Sequence, residues 1–162
     1  MNLPRLFEVQ KNLDEHIRMN HNLENESLLS KKVLALQVEL AELANETRCF
    51  KFWSNKRTSN RAAILKEFVD CLHFILTLGI EKKFADIKDL ESKNPQYDIV
   101  GQFSNLYVDI NDFIVCSSKD HYITLFEDFL TLGESLGFSK EEIEEAYYDK
   151  NHINNQKQTV GY

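Results

Sequence analysis

Apolar residues recur along most of this chain at intervals of three and four positions, which places their side chains on one face of an α-helix. The first stripe is formed by Leu3, Leu6, Leu13 and Ile17. Gln10 and Asp14 fall inside this stripe. A second helix is predicted over about residues 27–48 and a third over about residues 61–80, with a polar loop at 54–60 between them.

The second half of the chain continues the helical pattern. Its two stripes consist of Phe103, Leu106, Tyr107, Ile110, Phe113 and Ile114, and then of Ile123, Phe126, Leu130 and Leu136. Gly137 predicts the end of the fifth helix, and Ser139 with Glu142 forms a capping box that predicts the start of a last one. The charged segment 81–97 gives no clear pattern, and the polar segment 150–162 is expected to be mobile without ligand.

The composition supports a helical fold. Only 5 Gly and 2 Pro occur in 162 residues, and the alternation of β-branched and polar residues that is typical of strands is almost absent. Apolar residues make up 43% and charged residues 28% of the chain, a globular balance. We therefore predict one all-α domain over residues 1–162, folded as a compact helical bundle.

Charge and cysteine content exclude several classes of protein. A net charge of −7 argues against direct nucleic-acid binding through a broad basic surface. Cys49, Cys71 and Cys116 form no zinc or disulfide pattern, which favours free thiols in a reducing compartment. The N-terminus lacks the apolar core of a signal peptide, and the longest apolar stretch, 68–80, is shorter than the roughly 20 residues of a membrane span. We expect a cytoplasmic protein.

Two pairs of acidic residues carry the candidate chemistry. Glu39 and Glu42 lie on adjacent turns of the second predicted helix, and Glu67 and Asp70 repeat this spacing on the third. The residues seven and eleven positions after Glu67 are apolar, so this carboxylate lies on an inward-facing azimuth. Carboxylates crowded near a core repel one another and need compensating cations. The pattern therefore predicts a site for hard divalent metals, with Mg²⁺ bridging to a polyphosphate.

Two other interpretations of these acids remain open. A di-iron carboxylate bundle also gathers acids from neighbouring helices, but its Glu-x-x-His signature is missing here. A purely structural acidic patch would need no metal at all. These acids alone do not identify the substrate.

The four acids, together with the runs NETRCFKFWS and DCLHFILTLG, resemble the dimeric all-α dUTPases of bacteria and phages. These enzymes belong to the broader MazG-like group of NTP pyrophosphatases, which shares the E-x-x-E and E-x-x-D pairs. The resemblance implies hydrolysis of dUTP, with dUDP as a further candidate substrate, to dUMP by a Mg²⁺-activated water. It also implies two or more Mg²⁺ ions held by Glu39, Glu42, Glu67 and Asp70. We expect Glu42, in preference to Glu39, to orient or deprotonate the water.

The same resemblance implies a set of substrate contacts. Those to the nucleoside and its pocket are Gln10, Asp14, Asn45, Lys51, Trp53 and His73, and those that close over the phosphates are Lys150, Asn154 and Lys157. Asp14 replaces an Asn of some relatives, and Lys157 replaces a commoner Arg, which keeps the charge but loses bidentate geometry. The resemblance covers the first three helices and about the last twenty residues.

The resemblance also implies partners, and two rival functions remain open. The family is homodimeric, and we expect the aromatic residues between Phe103 and Phe129 to supply an exposed apolar interface. If the chain is phage-encoded, the resemblance adds a regulatory repressor as a candidate partner, and the location becomes the host cytoplasm. The rival functions are a broader MazG-like pyrophosphatase acting on dCTP or modified nucleotides, and a non-catalytic interaction module.

Overall fold

A computed structural model describes residues 1–161, and this part of the chain contains six α-helices and no strand. The helices are α1 (Leu3–Asn20), α2 (Leu29–Thr47), α3 (Arg61–Glu81), α4 (Ile99–Val115), α5 (Lys119–Ser135) and α6 (Lys140–Thr159). The prediction of an all-α fold is confirmed. The charged segment between α3 and α4 contains no helix.

Local signals fix most of the helix starts. The side chains of Asn2, Asn60, Asp98 and Ser118 each accept a hydrogen bond from a backbone N–H in the first turn of the helix that follows. The predicted capping box is present: the Ser139 hydroxyl accepts from the Glu142 N–H, and the Glu142 carboxylate accepts from the Ser139 N–H. Gly137 has a φ of +84° between α5 and α6, a conformation that favours glycine.

Helix α3 lies at the centre of the bundle. It packs against α1, α2, α5 and α6, while α4 packs against α5 and α2. Phe68 on α3 stacks on Phe129 of α5 with ring centroids 4.2 Å apart. A Cβ at Gly79 would collide with the Tyr122 hydroxyl, so this glycine permits close approach of α5. Because α3 carries two of the predicted metal ligands, these ligands lie on the most enclosed helix.

One expectation about the second half of the chain is wrong. Phe103, Phe113, Phe126 and Phe129 are all buried, because their stripes face the core. The exposed apolar residues of α4 are instead the aliphatic Val100, Val108, Ile114 and Val115.

The C-terminal segment that was expected to be mobile is helical through Thr159. Its last residue, Tyr162, lies outside the described residues. None of the helices that the structure describes is long and apolar enough to cross a membrane.

Candidate metal centre and adjoining pocket

Three carboxylates meet between α2 and α3. Glu39, Glu67 and Asp70 each offer one oxygen, and these oxygens lie within 4.8 Å of one another. The side chains of Glu67 and Asp70 are only 13% exposed. The Oε2 atom of Glu67 is buried and has no hydrogen-bond partner among residues 1–161. Such an atom is costly unless a ligand or cation satisfies it.

The electrostatics of this cluster also favour a cation. Burial raises the pKa of Glu39 to about 7, and the negative charges of Asp70, Glu42 and Glu67 add to the effect. Two lysines offset part of the charge in the structure. Lys66 Nζ lies 2.5 Å from Glu67 Oε1, and Lys150 Nζ lies 2.6 Å from Asp70 Oδ1.

The donor set fits a hard divalent cation. All three gathered ligands are carboxylates, and no sulfur or imidazole ligand belongs to the group that the described residues form. Glu42, the fourth predicted ligand, is exposed on α2 and lies outside this group of three. It is close enough for its charge to raise the pKa of Glu39.

A cavity of about 370 Å³ adjoins the carboxylates. Its lining includes Glu39 and Asp70 together with Lys150 and Asn154 of α6, and it continues between α1, α2 and α3. One pocket therefore joins the acidic cluster to the polar residues of the first helix.

A buried hydrogen-bond chain crosses this pocket wall from α6 to α3. The Tyr147 hydroxyl donates to Gln10 Oε1 at 2.9 Å, and His73 Nδ1 lies 2.7 Å from the same oxygen. Because Gln10 Oε1 only accepts, His73 Nδ1 must carry the proton. Burial lowers the pKa of His73 to about 4, so the ring is neutral near pH 7. Its Nε2 atom is then a buried acceptor, without a partner among the described residues.

Asp14 continues the polar network on α1. Its Oδ1 accepts from Gln10 Nε2 at 2.8 Å, and its Oδ2 accepts from the Thr77 hydroxyl. Lys32 Nζ lies 3.5 Å from Asp14 Oδ2 and 2.6 Å from Glu81 Oε1. Five side chains are thus held by one another between α1, α2 and α3.

The structure gathers part of the predicted site. The predicted residues that line the cavity are Gln10, Asp14, Glu39, Asp70, His73, Lys150 and Asn154. Glu67 lies in the carboxylate cluster beside it. Lys157, on the last turns of α6, is exposed and does not line this cavity.

The loop after α2 is not brought to this cavity. Asn45, Lys51 and Trp53 do not line it. Trp53 is 64% exposed and packs edge-on against Phe52, while Lys51 donates to the Asn45 side chain. The loop begins at Arg48, whose φ of +57° turns the chain at the end of α2. Nucleotide contacts by these three residues remain a prediction.

Sequence reasoning missed several polar residues of this site. Lys32 lies seven positions before Glu39, and Thr77 lies seven positions after Asp70, so each shares a helix face with a predicted ligand. That spacing was the available signal for both. Tyr147, three positions before Lys150, could have been found in the same way. Lys66 adjoins Glu67 in sequence and carried no signal of its own.

A family model described as dUTPase matches residues 2–162. None of the curated proteins compared with the chain matches it.

Proposed function

The chain belongs to the dUTPase family and is a dUTP diphosphatase, a hydrolase; from this premise we propose that it cleaves dUTP to dUMP and pyrophosphate at the Glu39, Glu67 and Asp70 cluster with Mg²⁺ as cofactor. The observation that carries the proposal is the buried, unpartnered Oε2 of Glu67 inside a group of three carboxylates. Its position beside a cavity that also reaches a lysine suits a polyphosphate.

The ligands proposed for two or more Mg²⁺ ions are Glu39, Glu42, Glu67 and Asp70. Held by these carboxylates, Mg²⁺ would polarise the phosphate oxygens of the substrate and activate a water for attack. Within this arrangement Glu42, which is exposed and outside the group of three, is the carboxylate proposed to orient the attacking water and accept its proton.

Residues of α6 supply positive charge for the phosphates. Lys150 pairs with Asp70 and lines the cavity, so its ammonium group can move to a phosphate oxygen of the substrate. Asn154 lines the same cavity one turn later. Lys157, a further turn along, is proposed to close over the outer phosphates and exclude bulk water.

The nucleoside is proposed to occupy the end of the cavity near α1. Gln10 and Asp14 would contact the base and His73 the deoxyribose. His73 Nε2 requires a hydrogen-bond donor, which a sugar hydroxyl provides. The loop residues Asn45, Lys51 and Trp53 would join the pocket only after a movement towards it.

Pyrophosphate release from each of the four common dNTPs and from dUTP, and phosphate release from dUDP, each with Mg²⁺ or EDTA, test this proposal. We expect Mg²⁺-dependent turnover of dUTP and loss of turnover in Glu42→Gln with retained circular dichroism. Equal turnover of every base would instead indicate a broad MazG-like pyrophosphatase. Absence of turnover in a folded wild-type chain would indicate an interaction module.

A homodimer is also proposed, through aliphatic surface rather than aromatic surface. Leu34 and Val38 on α2 and Val108 and Ile114 on α4 are all exposed, and these two helices pack against each other. An exposed aliphatic face of this kind favours burial against a second copy. Light scattering should give twice the mass of the chain, and Leu34→Glu should halve it. A repressor partner remains a prediction from the family resemblance.

A further inference from the structure

The hydrogen-bond capacity of Gln10 is largely used within the protein. Its Oε1 accepts from both Tyr147 and His73, which fills both lone pairs. Its Nε2 donates one of two protons to Asp14 Oδ1. The opposite amide orientation would turn Oε1 towards the Asp14 carboxylate, where it would find no donor. Gln10 can therefore offer a ligand only one group, the second N–H of its amide.

Asp14 and Lys32 also keep little hydrogen-bonding capacity for a ligand. Asp14 can only accept a hydrogen bond, and Lys32 can only donate one. The Asp14 carboxylate accepts from Gln10, Thr77 and Lys32, which leaves about one of its four lone-pair sites for a ligand. The Lys32 ammonium donates one hydrogen bond to Glu81 and a longer one, of 3.5 Å, to Asp14. One of its three protons therefore remains for a ligand. All three side chains line the same cavity.

The contacts arrange these groups in a fixed order. Gln10 Nε2 touches Asp14 Oδ1, and Lys32 touches Asp14 Oδ2, so the carboxylate lies between the two donors. The lysine is held in turn by Glu81, which Arg18 also contacts at 2.6 Å. Along the cavity wall the three side chains therefore follow one another in the order donor, acceptor and donor.

Uracil presents the complementary edge, because its O4, N3–H and O2 are an acceptor, a donor and an acceptor. Resting on the proposed function, we propose that Gln10, Asp14 and Lys32 together read this edge, and that Lys32 is a specificity residue for uracil against cytosine. Cytosine would set its exocyclic amine against a donor and its N3 lone pair against the Asp14 carboxylate. Thymine has the same edge as uracil, so these three residues do not separate dUTP from dTTP.

Lys32→Met tests the role of the lysine with a matched control. The variant keeps the apolar stem and removes the donor, so we expect KM for dUTP to rise about 10- to 100-fold with little change in kcat. The ratio of kcat/KM for dUTP to that for dCTP should fall at least about tenfold. The control is Lys31→Met on the next position of α2, where the side chain is 70% exposed and pairs with Glu26. This control variant should leave KM for dUTP, and the ratio of kcat/KM for dUTP to that for dCTP, within about twofold of the wild-type values.

A substrate-side probe keeps the test valid even if the Lys32 variant folds poorly. Wild-type protein is assayed with dUMP and with N3-methyl-dUMP as inhibitors of dUTP hydrolysis. The methyl group removes the N3–H and meets the Asp14 carboxylate, so inhibition should weaken at least about tenfold.

The outcomes separate this proposal from the function on which it rests. Equal inhibition by the two nucleotides overturns only the proposed recognition of the base. An unchanged ratio of kcat/KM for dUTP to that for dCTP in folded Lys32→Met does the same. Failure of wild-type protein to hydrolyse dUTP overturns the proposed site and this proposal with it.

Discussion

Two acidic clusters in this molecule have similar electrostatic character but different partners. The first is the group of Glu39, Glu67 and Asp70 between α2 and α3, and the second is the pair of Asp109 on α4 and Asp128 on α5. Burial raises the pKa of Glu39 to about 7 in the first cluster and that of Asp109 to about 7 in the second. Neighbouring carboxylates add to the shift in both.

The difference lies in how the oxygens are satisfied. In the second cluster Asn105 Nδ2 donates to Asp109 Oδ2 at 3.1 Å and to Asp128 Oδ2 at 2.9 Å, and Lys93 Nζ lies 3.1 Å from Asp128 Oδ1. In the first, Glu67 Oε2 is buried without a partner among the described residues. A raised pKa alone therefore does not identify a metal site. The unmet hydrogen-bonding demand distinguishes the two.

The largest effect on activity should come from replacing one carboxylate of the first cluster, with a carboxylate of the second cluster replaced as the control. Glu67→Gln removes a proposed metal ligand, so kcat/KM for dUTP should fall about a thousandfold, equivalent to about 4 kcal/mol. Asp128→Asn in the second cluster serves as the control and should change kcat/KM less than about threefold. Steady-state kinetics at saturating Mg²⁺ measure both. A fall of less than tenfold in Glu67→Gln would show that the clusters do not differ as described.

Metal should stabilise the folded protein through the first cluster only. At a Mg²⁺ concentration about 100 times the dissociation constant, binding adds about 2.7 kcal/mol to the free energy of unfolding. The midpoint temperature of thermal unfolding should then rise by roughly 5 to 10 °C in the wild-type protein. Asp109→Asn should keep this shift and Glu67→Gln should lose most of it. An equal loss in both variants would contradict the comparison.

The raised pKa of Asp109 in the second cluster should make the free energy of unfolding depend on pH. The pKa of Asp109 is about 7 when folded against 3.8 as the ordinary value, so between these values the folded state holds a proton that the unfolded state releases. Its stabilising contribution is complete below about pH 4 and is lost as the pH rises through about 7. Asp109→Asn should therefore gain stability relative to wild type over this range, by about a few kcal/mol.

Urea denaturation at pH 4.5 and at pH 7.5, without metal, measures this difference. A difference for Asp109→Asn that stays constant with pH would contradict a raised pKa at this position.

The smallest effect is expected at Lys66. This lysine is 56% exposed and pairs with Glu67 and Asp70 in the first cluster. Lys66→Met should lower the metal-free stability by less than about 1 kcal/mol, because exposed ion pairs contribute little. Its apparent affinity for Mg²⁺ should rise slightly, since a competing cation is gone, as measured by the Mg²⁺ dependence of turnover. A large loss of Mg²⁺ affinity would make Lys66 part of the metal site rather than a competitor for it.

Sequence periodicity was sufficient for the fold and for much of the first cluster. Helical spacing places Glu67 and Asp70 on one face of α3, and apolar neighbours show that this face is inward. The same reasoning did not single out Asp109, because an inward acid on α4 becomes informative only with its partner on α5 in view. Contacts between helices depend on packing angles that a single periodic pattern does not contain.

The end of the cavity proposed for the base was predicted only in part, because Gln10 and Asp14 were singled out and Lys32 was not. Lys32 shares a helix face with Glu39, but only the folded chain brings its ammonium group beside Asp14 of α1 and Glu81 of α3. The aromatic residues of α4 and α5 were misjudged for a related reason. Their number suggested a surplus for the surface, whereas a bundle with α3 at its centre needs them in the core.

The hydrogen-bond chain from Tyr147 through Gln10 to His73 has a consequence for inhibitor design. Because this chain fixes the proton on His73 Nδ1, the buried Nε2 of this cavity-lining residue keeps an unshared lone pair near pH 7. A neutral compound that places an N–H or O–H against this atom gains a buried hydrogen bond without a triphosphate. Its affinity should then be independent of Mg²⁺, which separates inhibitors of the nucleoside end from those that compete for the metal.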